Sequence, residues 1–206
     1  MPHHVIEELE RIVKGRKSIK IIRDGDFISA SVMVILREER GGYSMLFIKR
    51  RECLSDLFSG HMAFPGGKMQ KGDGNNLETA IRETREETGI DLKNNGRILG
   101  ELDDVSPVNP EANHYVVTPY LALVEEDTRV KPNEEVAEFV WIPLSDFRNE
   151  KTLEIKVIEK YGMKLEDFTF RYQNYVIWGM TARILRQFLS LAGNLISGDE
   201  LQQSYS

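Results

Sequence analysis

Apolar residues recur at helical intervals in three parts of the chain, and each part predicts a helix. The three predicted helices cover residues 4–14, 76–88 and 178–196. Neither Pro nor Gly interrupts the second of them, and two asparagines suited to the N-cap, Asn75 and Asn76, stand at its beginning. Gly89 follows this helix directly and suits its end, because glycine readily adopts the left-handed conformation found there.

Runs of β-branched and aromatic residues between turn residues predict seven strands. The predicted strands cover residues 27–36, 43–48, 98–102, 115–124, 136–142, 152–158 and 168–172. Gly41-Gly42 predicts a hairpin between the first two strands, and Gly162 lies in the connection of a second hairpin between the last two. Strands on both sides of a central helix predict a mixed α/β or α+β sandwich with helices on both faces of the sheet. No linker or repeat divides the chain, so we expect a single domain over residues 1–206.

Composition narrows the class of protein. With 41% hydrophobic and 29% charged residues, the chain has the composition of a globular protein, which excludes a disordered or collagen-like chain. Acidic residues outnumber basic ones by 33 to 27, which disfavours nucleic acid as a partner because phosphates are neutralised by basic side chains. No segment approaches the roughly 20 apolar residues that cross a bilayer. The single cysteine, Cys53, agrees with a reducing compartment, so we expect a cytoplasmic protein without a membrane partner.

Three glutamates of the second predicted helix share one face. At about 100° per residue, Glu83, Glu86 and Glu87 fall within an arc of roughly 100°. Like charges at this spacing repel one another, and a divalent cation would relieve the repulsion. Mg²⁺ or Mn²⁺ prefers oxygen ligands and is commonly held by carboxylates together with substrate phosphates. The alternative is a solvated acidic face that is balanced by neighbouring arginines.

The loop before this helix favours a metal and phosphate site over a solvated acidic face. Gly66 and Gly67 follow Pro65, and such a turn lets the backbone approach a ligand closely. Arg82 can be oriented either by Glu78, four residues earlier on the helix, or by Asp73 from the loop.

Residues 67–90 resemble the Nudix box, G-x5-E-x7-R-E-U-x-E-E-x-G-U, where U is aliphatic. The second half matches closely as RETREETGI, residues 82–90. Thr84 stands at an aliphatic position, Asp73 stands at the first glutamate position, and the loop is one residue longer than the pattern. The resemblance to this MutT-like family implies an α/β/α sandwich around a mixed sheet. It also implies a hydrolase that cleaves the diphosphate of a nucleoside diphosphate linked to another moiety.

The flanking segments are most similar to the coenzyme A pyrophosphatase branch of the family. Arg50, Gly60 and residues 64–67 match its motif before the box, while Asp56 stands where the branch has arginine. Residues 170–185 look like its closing segment. A coenzyme A-like conjugate is therefore the first substrate class that the resemblance implies.

Two alternatives remain open. Pro107 lies at a position reminiscent of the ADP-ribose branch, which favours an ADP-ribose or nucleotide-sugar pyrophosphatase. A catalytically inactive nucleotide sensor of the same fold is disfavoured, because such a module is expected to lose box glutamates that this chain retains.

The resemblance also implies roles for individual residues. The implied catalytic residues are Glu83, Glu86, Glu87 and Arg82; the implied ligands of Mg²⁺ or Mn²⁺ are the three glutamates and the Gly66 carbonyl; and the implied substrate-binding residues are Arg50, Gly66 and Gly67. Three glutamates outside the box are further candidates for orienting water, namely Glu134, Glu135 and Glu138. Four ring-bearing residues are candidates for stacking a base, namely Phe58, His61, Tyr115 and Trp141. A homodimer through Val176, Ile177 and Met180 is left open beside core packing of these residues.

Overall fold

The computed structural model describes residues 2–53, 59–109, 112, 114–148, 150–160 and 162–196. Within these residues the α-helices are α1 (Pro2–Gly15), α2 (Asn76–Thr88), α3 (Leu92–Asn95) and α4 (Gly179–Ile196). The strands are β1 (Ile28–Glu39), β2 (Gly42–Arg50), β3 (Met62–Ala63), β4 (Gly66–Lys68), β5 (Gly96–Glu101), β6 (Tyr115–Val124), β7 (Val136–Pro143), β8 (Leu153–Lys160), β9 (Met163–Tyr172) and β10 (Tyr175–Ile177). Two short 3₁₀ turns, Leu144–Arg148 and Glu150–Thr152, follow β7.

A mixed sheet forms the centre of the fold. Its strands run in the order β3-β2-β1-β6-β5, with β4 paired to β1 and β7 paired to β2. Strands β1 and β6 are parallel from Ile28 opposite Tyr115 to Arg37 opposite Val124, whereas the other pairs are antiparallel. Strands β8, β9 and β10 form a separate antiparallel sheet, in which the predicted second hairpin is longer than the sequence indicated.

Alternating side chains of β1 build two apolar layers, one on each face of the sheet. Val34 and Leu36 pack in a cluster with residues of α1 and α4, such as Leu9 and Phe188. Met33 and Ile35 point to the other face and join a cluster that includes residues of α2 and α3. Each such buried side chain stabilises the fold by about 1.5–3 kcal/mol relative to an exposed one. The predicted sandwich, with a mixed sheet between helices, is confirmed.

Helix α2 is defined by side-chain and backbone caps. The side chain of Asn75, rather than Asn76, accepts a hydrogen bond from the backbone N–H of Glu78. Gly89 adopts φ 72° and donates its N–H to the carbonyl of Arg85. The extra residue in the preceding loop therefore leaves the helix intact, and its glutamates keep their predicted spacing.

Some expectations from the sequence are corrected. Helix α4 begins at Gly179, so Trp178 precedes it. Ile177 is 0% exposed and belongs to the core, so it is not available for a dimer contact, whereas Val176 is 38% exposed. Strands β3, β4 and β10, of two or three residues each, are too short to show a sequence pattern. No described helix combines the length and hydropathy of a membrane span.

Candidate active site

A cavity of about 950 Å³ lies where α2, β4 and the first turns of α4 meet. Six of the seven predicted site residues line this cavity: Arg50, Gly66, Gly67, Glu83, Glu86 and Glu87. Arg82 does not line it, but it contacts two of the glutamates that do. The structure therefore brings together residues that lie on a helix, in a glycine turn and at the end of β2.

The two glycines let the backbone pass close to the helix. Strand β4 pairs with β1 so that Gly66 is opposite Val32 and Gly67 is opposite Ser31. A Cβ atom on Gly66 would stand 2.2 Å from the carbonyl oxygen of Ser31. A Cβ atom on Gly67 would stand 2.5 Å from the carboxyl carbon of Glu83. The backbone contact requires glycine at position 66, whereas a side chain at position 67 would displace the Glu83 carboxylate.

Glu87 is the most buried of the three glutamates, at 2% exposed. One carboxylate oxygen accepts the N–H of Gly66 at 2.8 Å, and the other lies 3.5 Å from Nη1 of Arg50. Burial raises the pKa of Glu87 to about 7, although the Gly66 N–H and the Arg50 charge oppose this rise. The negative charges of Glu83 and Glu135 raise it further.

Glu83 and Glu86 share one arginine. Nη1 of Arg82 donates to Oε1 of Glu83 at 2.8 Å and to Oε2 of Glu86 at 3.1 Å. Burial raises the pKa of Glu83 above its ordinary value, while Arg82 acts in the opposite direction. The side chain of Glu86 is 53% exposed, so it forms the solvent side of the acidic group.

Asp73 holds this arginine from the loop. Its two carboxylate oxygens accept Nε and Nη2 of Arg82, each at 2.9 Å, and the Thr79 hydroxyl donates to it at 2.9 Å. These bonds keep the pKa of Asp73 well below its usual range. Arg82 also donates to the carbonyl of Lys68. Of the two residues that the sequence offered for orienting Arg82, Asp73 is therefore the one that binds it, and Glu78 accepts the backbone N–H of Gly74 instead.

The donor set of the cavity suits a hard divalent cation. Six acidic residues line it, since Glu135, Glu166 and Asp167 join the three glutamates of α2, and carboxylate oxygens are the ligands that Mg²⁺ and Mn²⁺ prefer. Burial raises the pKa values of Glu83 and Glu87, and the negative charges of neighbouring carboxylates raise them further. In the described part of the chain, no group of three or more His, Cys, Asp or Glu side chains is arranged ready to hold an ion. The oxygen ligands of the cavity therefore suit a divalent cation in their chemistry. In this structure, Arg82 binds Glu83 and Glu86, so these carboxylates are paired with an arginine.

The three candidate glutamates outside the box differ in whether they line the main cavity. Glu135 lines the cavity, and its carbonyl accepts the backbone N–H of Arg51 at 2.8 Å. Glu138 instead accepts hydrogen bonds from Lys49 and Tyr175 and lines a neighbouring cavity of about 530 Å³. Glu134 lines neither cavity. Of the three candidates, only Glu135 is placed near the glutamates of α2.

The four candidates for stacking a base also differ in whether they line the main cavity. His61 and Tyr115 line the main cavity. Trp141 does not, because it packs in the apolar layer beneath α2 with the Arg37 guanidinium 4.1 Å from its ring centroid. Phe58, like Asp56, lies outside the described residues.

Sequence reasoning missed two cations that line the cavity, Arg183 of α4 and Lys68 of β4. No local signal marks Arg183, since it lies far from the box in sequence on an amphipathic helix. Only the docking of α4 places it there, partly through the Thr181 hydroxyl, which donates to the Met62 carbonyl at 3.0 Å.

Comparison with known proteins first identifies the fold. The structure of a MutT/nudix family protein from Enterococcus faecalis matches with a TM-score of 0.57 and 16% identity, covering 91% of this chain and 74% of that one. This likeness shows a shared fold, that of the Nudix proteins.

The sequence then identifies the family. Residues 28–161 match the model of the NUDIX domain. The chain is 34% identical over 143 residues to an uncharacterized Nudix hydrolase NudL of Pectobacterium atrosepticum, covering 69% of this chain and 72% of the relative. It is 31% identical to the NudL of Photorhabdus laumondii, covering 69% and 74%. The chain belongs to the Nudix hydrolase family, whose members act on pyrophosphate bonds of nucleoside diphosphate derivatives, and the prediction of the family is confirmed.

Proposed function

We propose that this chain, acting as one Nudix domain over residues 1–206, is a divalent-metal-dependent pyrophosphohydrolase. It cleaves the diphosphate of a nucleoside diphosphate linked to another moiety. The observation that carries the proposal is the single cavity lined by Glu83, Glu86 and Glu87 together with Arg50 and the Gly66-Gly67 turn. Nudix hydrolases generally use divalent metal ions, which supports the same chemistry.

The residues of the cavity divide the work of hydrolysis. Glu83, Glu86 and Glu87 would hold Mg²⁺ or Mn²⁺, with the Gly66 carbonyl as a further ligand. The bound ion neutralises phosphate charge and lowers the pKa of water. Arg50, which lines the cavity, attracts the diphosphate, and Asp73 positions Glu83 and Glu86 through Arg82.

Orientation of the attacking water falls to a carboxylate. Glu83 is one candidate, and Glu135 is the other, because it is the glutamate outside the box that lines the cavity. Its charge is felt at both Glu83 and Glu87, whose pKa values it raises.

A coenzyme A-like conjugate is the substrate class that we propose first. The segment of residues 170–185 that resembles the coenzyme A branch supplies one wall of the cavity, from Trp178 to Arg183. The second candidate is ADP-ribose or a nucleotide sugar. It is favoured by one observation, which is that Pro107 also lines the cavity.

Hydrolysis of a substrate panel tests the proposal. Coenzyme A, ADP-ribose and a dinucleoside polyphosphate are incubated with the native chain, Glu86→Gln and Glu87→Gln, in Mg²⁺ or Mn²⁺ and in excess EDTA. We expect EDTA to abolish cleavage and each variant to lose about a hundredfold in kcat, as loss of a metal's charge stabilisation implies. Glu78→Gln is the matched control, because Glu78 is exposed on the same helix and does not line the cavity. Binding of one panel member without cleavage would instead support the sensor.

A further inference from the structure

Strand β8 is an open edge of the smaller sheet. Within the described residues this sheet has the order β10-β9-β8, so β9 pairs with one side of β8 and no strand pairs with the other. All eight residues of β8 pair with β9 without a register shift, and no proline interrupts the strand. A long, regular edge of this kind presents unpaired backbone N–H and C=O groups to any strand that approaches it.

One face of β8 begins in the core and extends beyond it. Leu153 is half-buried and packs against the larger apolar cluster, opposite Phe170 of β9. Ile155 and Val157 lie on the same face, because side chains alternate along a strand, yet they are 50% and 70% exposed. The outer end of this apolar face is therefore exposed to solvent on a strand whose edge is also open.

The opposite face of β8 carries a pair of charges. Nζ of Lys156 lies 2.7 Å from Oε1 of Glu154, and both side chains are exposed. Nη2 of Arg171, on β9, lies 3.8 Å from the other carboxylate oxygen of Glu154. A lysine in the middle of an edge strand ordinarily opposes pairing with a further strand. Here, however, an acidic residue of the same face supplies the complementary charge.

Residues 153–157 complement their own sequence when it is reversed. If two copies of β8 pair antiparallel about Ile155, Ile155 lies opposite itself, and Leu153 lies opposite Val157 of the second copy. On the other face, each Glu154 lies opposite Lys156 of the second copy. All directly opposite pairs are then apolar with apolar or acidic with basic, which are favourable cross-strand pairs. A register centred on Lys156 would place two lysines opposite each other, so the charges select the register about Ile155.

We propose that β8 pairs with β8 of a second copy of this chain, in an antiparallel register centred on Ile155. Each copy offers the same strand about a two-fold axis, which is the usual symmetry of a homodimer. The contact joins two three-stranded sheets into one continuous sheet. The half-buried Leu153 of one copy lies beside the exposed Val157 of the other. A strand of unrelated sequence would not account for the self-complementary order of residues 153–157.

The proposed interface lies beside the main cavity. Ile158 of β8 lines this cavity, together with Glu166 and Asp167 of β9. Pairing of β8 would therefore support, from the outside, the hairpin that borders the cavity. The inference does not depend on the proposed function, because self-association requires no substrate.

Sedimentation velocity of the full chain at about 1 to 200 µM tests the proposal. One strand from each copy makes a small interface, so we expect a dimer of twice 23.7 kDa with a dissociation constant of about 10 µM. Ile155→Lys would place two like charges opposite each other on the two-fold axis. We expect this variant to associate at least about tenfold more weakly than the native chain.

Charge reversal on the other face tests the register. Glu154→Lys alone and Lys156→Glu alone each bring like charges together twice, so each variant is expected to associate about tenfold more weakly. An equimolar mixture of the two restores opposite charges at both positions, and we expect it to form a mixed dimer of nearly native affinity. Glu126→Lys, in the exposed turn after β6, is the matched control, because it changes the net charge as Glu154→Lys does. It should leave the association unchanged.

Thermal melting checks that each variant is folded, and if Ile155→Lys does not fold, the mixing experiment still decides. A native chain that stays monomeric at about 200 µM would overturn the proposal. Dimers of native affinity in the folded variants would also overturn it, because the copies would then associate through another surface. The same holds for a mixture that associates as weakly as its two components.

Discussion

Two walls of the cavity hold their charges in opposite ways: the α2 wall, which carries Glu83, Glu86 and Glu87, and the α4 wall, which carries Arg183. On α2, the carboxylates of Glu83, Glu86 and Glu87 are each bound by an arginine. On α4, Arg183 binds a neutral carbonyl. The α2 wall is therefore organised before any ligand arrives, and the α4 wall is left with charge for the ligand to meet. Under the proposed function, the first wall performs the chemistry, and the second offers a positive charge to the ligand.

The largest expected effect comes from adding a methyl group at Gly66, on the floor of the cavity beside α2. In Gly66→Ala the new Cβ would lie 2.2 Å from the Ser31 carbonyl oxygen, and backbone cannot move away as a side chain can. We expect the free energy of unfolding, measured by urea denaturation, to fall by about 3 kcal/mol. Gly72→Ala is the control, because nothing lies within 4 Å of its added methyl group. Equal stability of the two variants would show that β4 is not tied to β1 as described.

The same contrast explains how far sequence alone could go. The α2 wall comes from one continuous segment, so helical spacing and caps place Glu83, Glu86 and Glu87 without knowledge of the rest of the fold. The main strands were also predictable, because their apolar runs are long. Arg183 and Glu135 reach the cavity only through the packing of α4 and the pairing of β7 with β2, which no local pattern encodes.

A smaller effect is expected from releasing Arg82. Asp73→Asn replaces the carboxylate that accepts two hydrogen bonds from the arginine with a neutral amide. This change should lower the free energy of unfolding at pH 7 by about 2 kcal/mol. The pKa of Asp73 is lowered in the folded state, so its contribution is complete above the unfolded pKa of about 3.9 and is lost as pH falls through the folded pKa. The difference between native and variant should therefore shrink below about pH 4 in denaturation curves taken from pH 2 to 7. A difference that does not change with pH would contradict this role.

The carboxylates near β7 test whether the chemistry extends beyond α2. Glu135→Gln is expected to lower kcat by about tenfold to a hundredfold, because Glu135 lines the cavity beside Glu83 and Glu87. Glu134→Gln, one residue earlier and outside the cavity, should leave kcat unchanged. Steady-state hydrolysis of the best panel substrate measures both. Equal rates in the two variants would restrict the water-orienting role to Glu83.

The smallest effect concerns Thr84, which stands on α2 where the family pattern has an aliphatic residue. Its side chain is 0% exposed, and within the described structure its hydroxyl has no hydrogen-bond partner. Thr84→Val removes this buried polar group with little change in shape, so we expect the free energy of unfolding to rise by about 1 kcal/mol. Thr79→Val, on the same helix, should lower it by a similar amount, because the Thr79 hydroxyl donates to Asp73. Thermal melting of both variants compares the two signs. A destabilised Thr84→Val would mean that the hydroxyl has a partner after all, and that this departure from the family pattern stabilises the α2 wall.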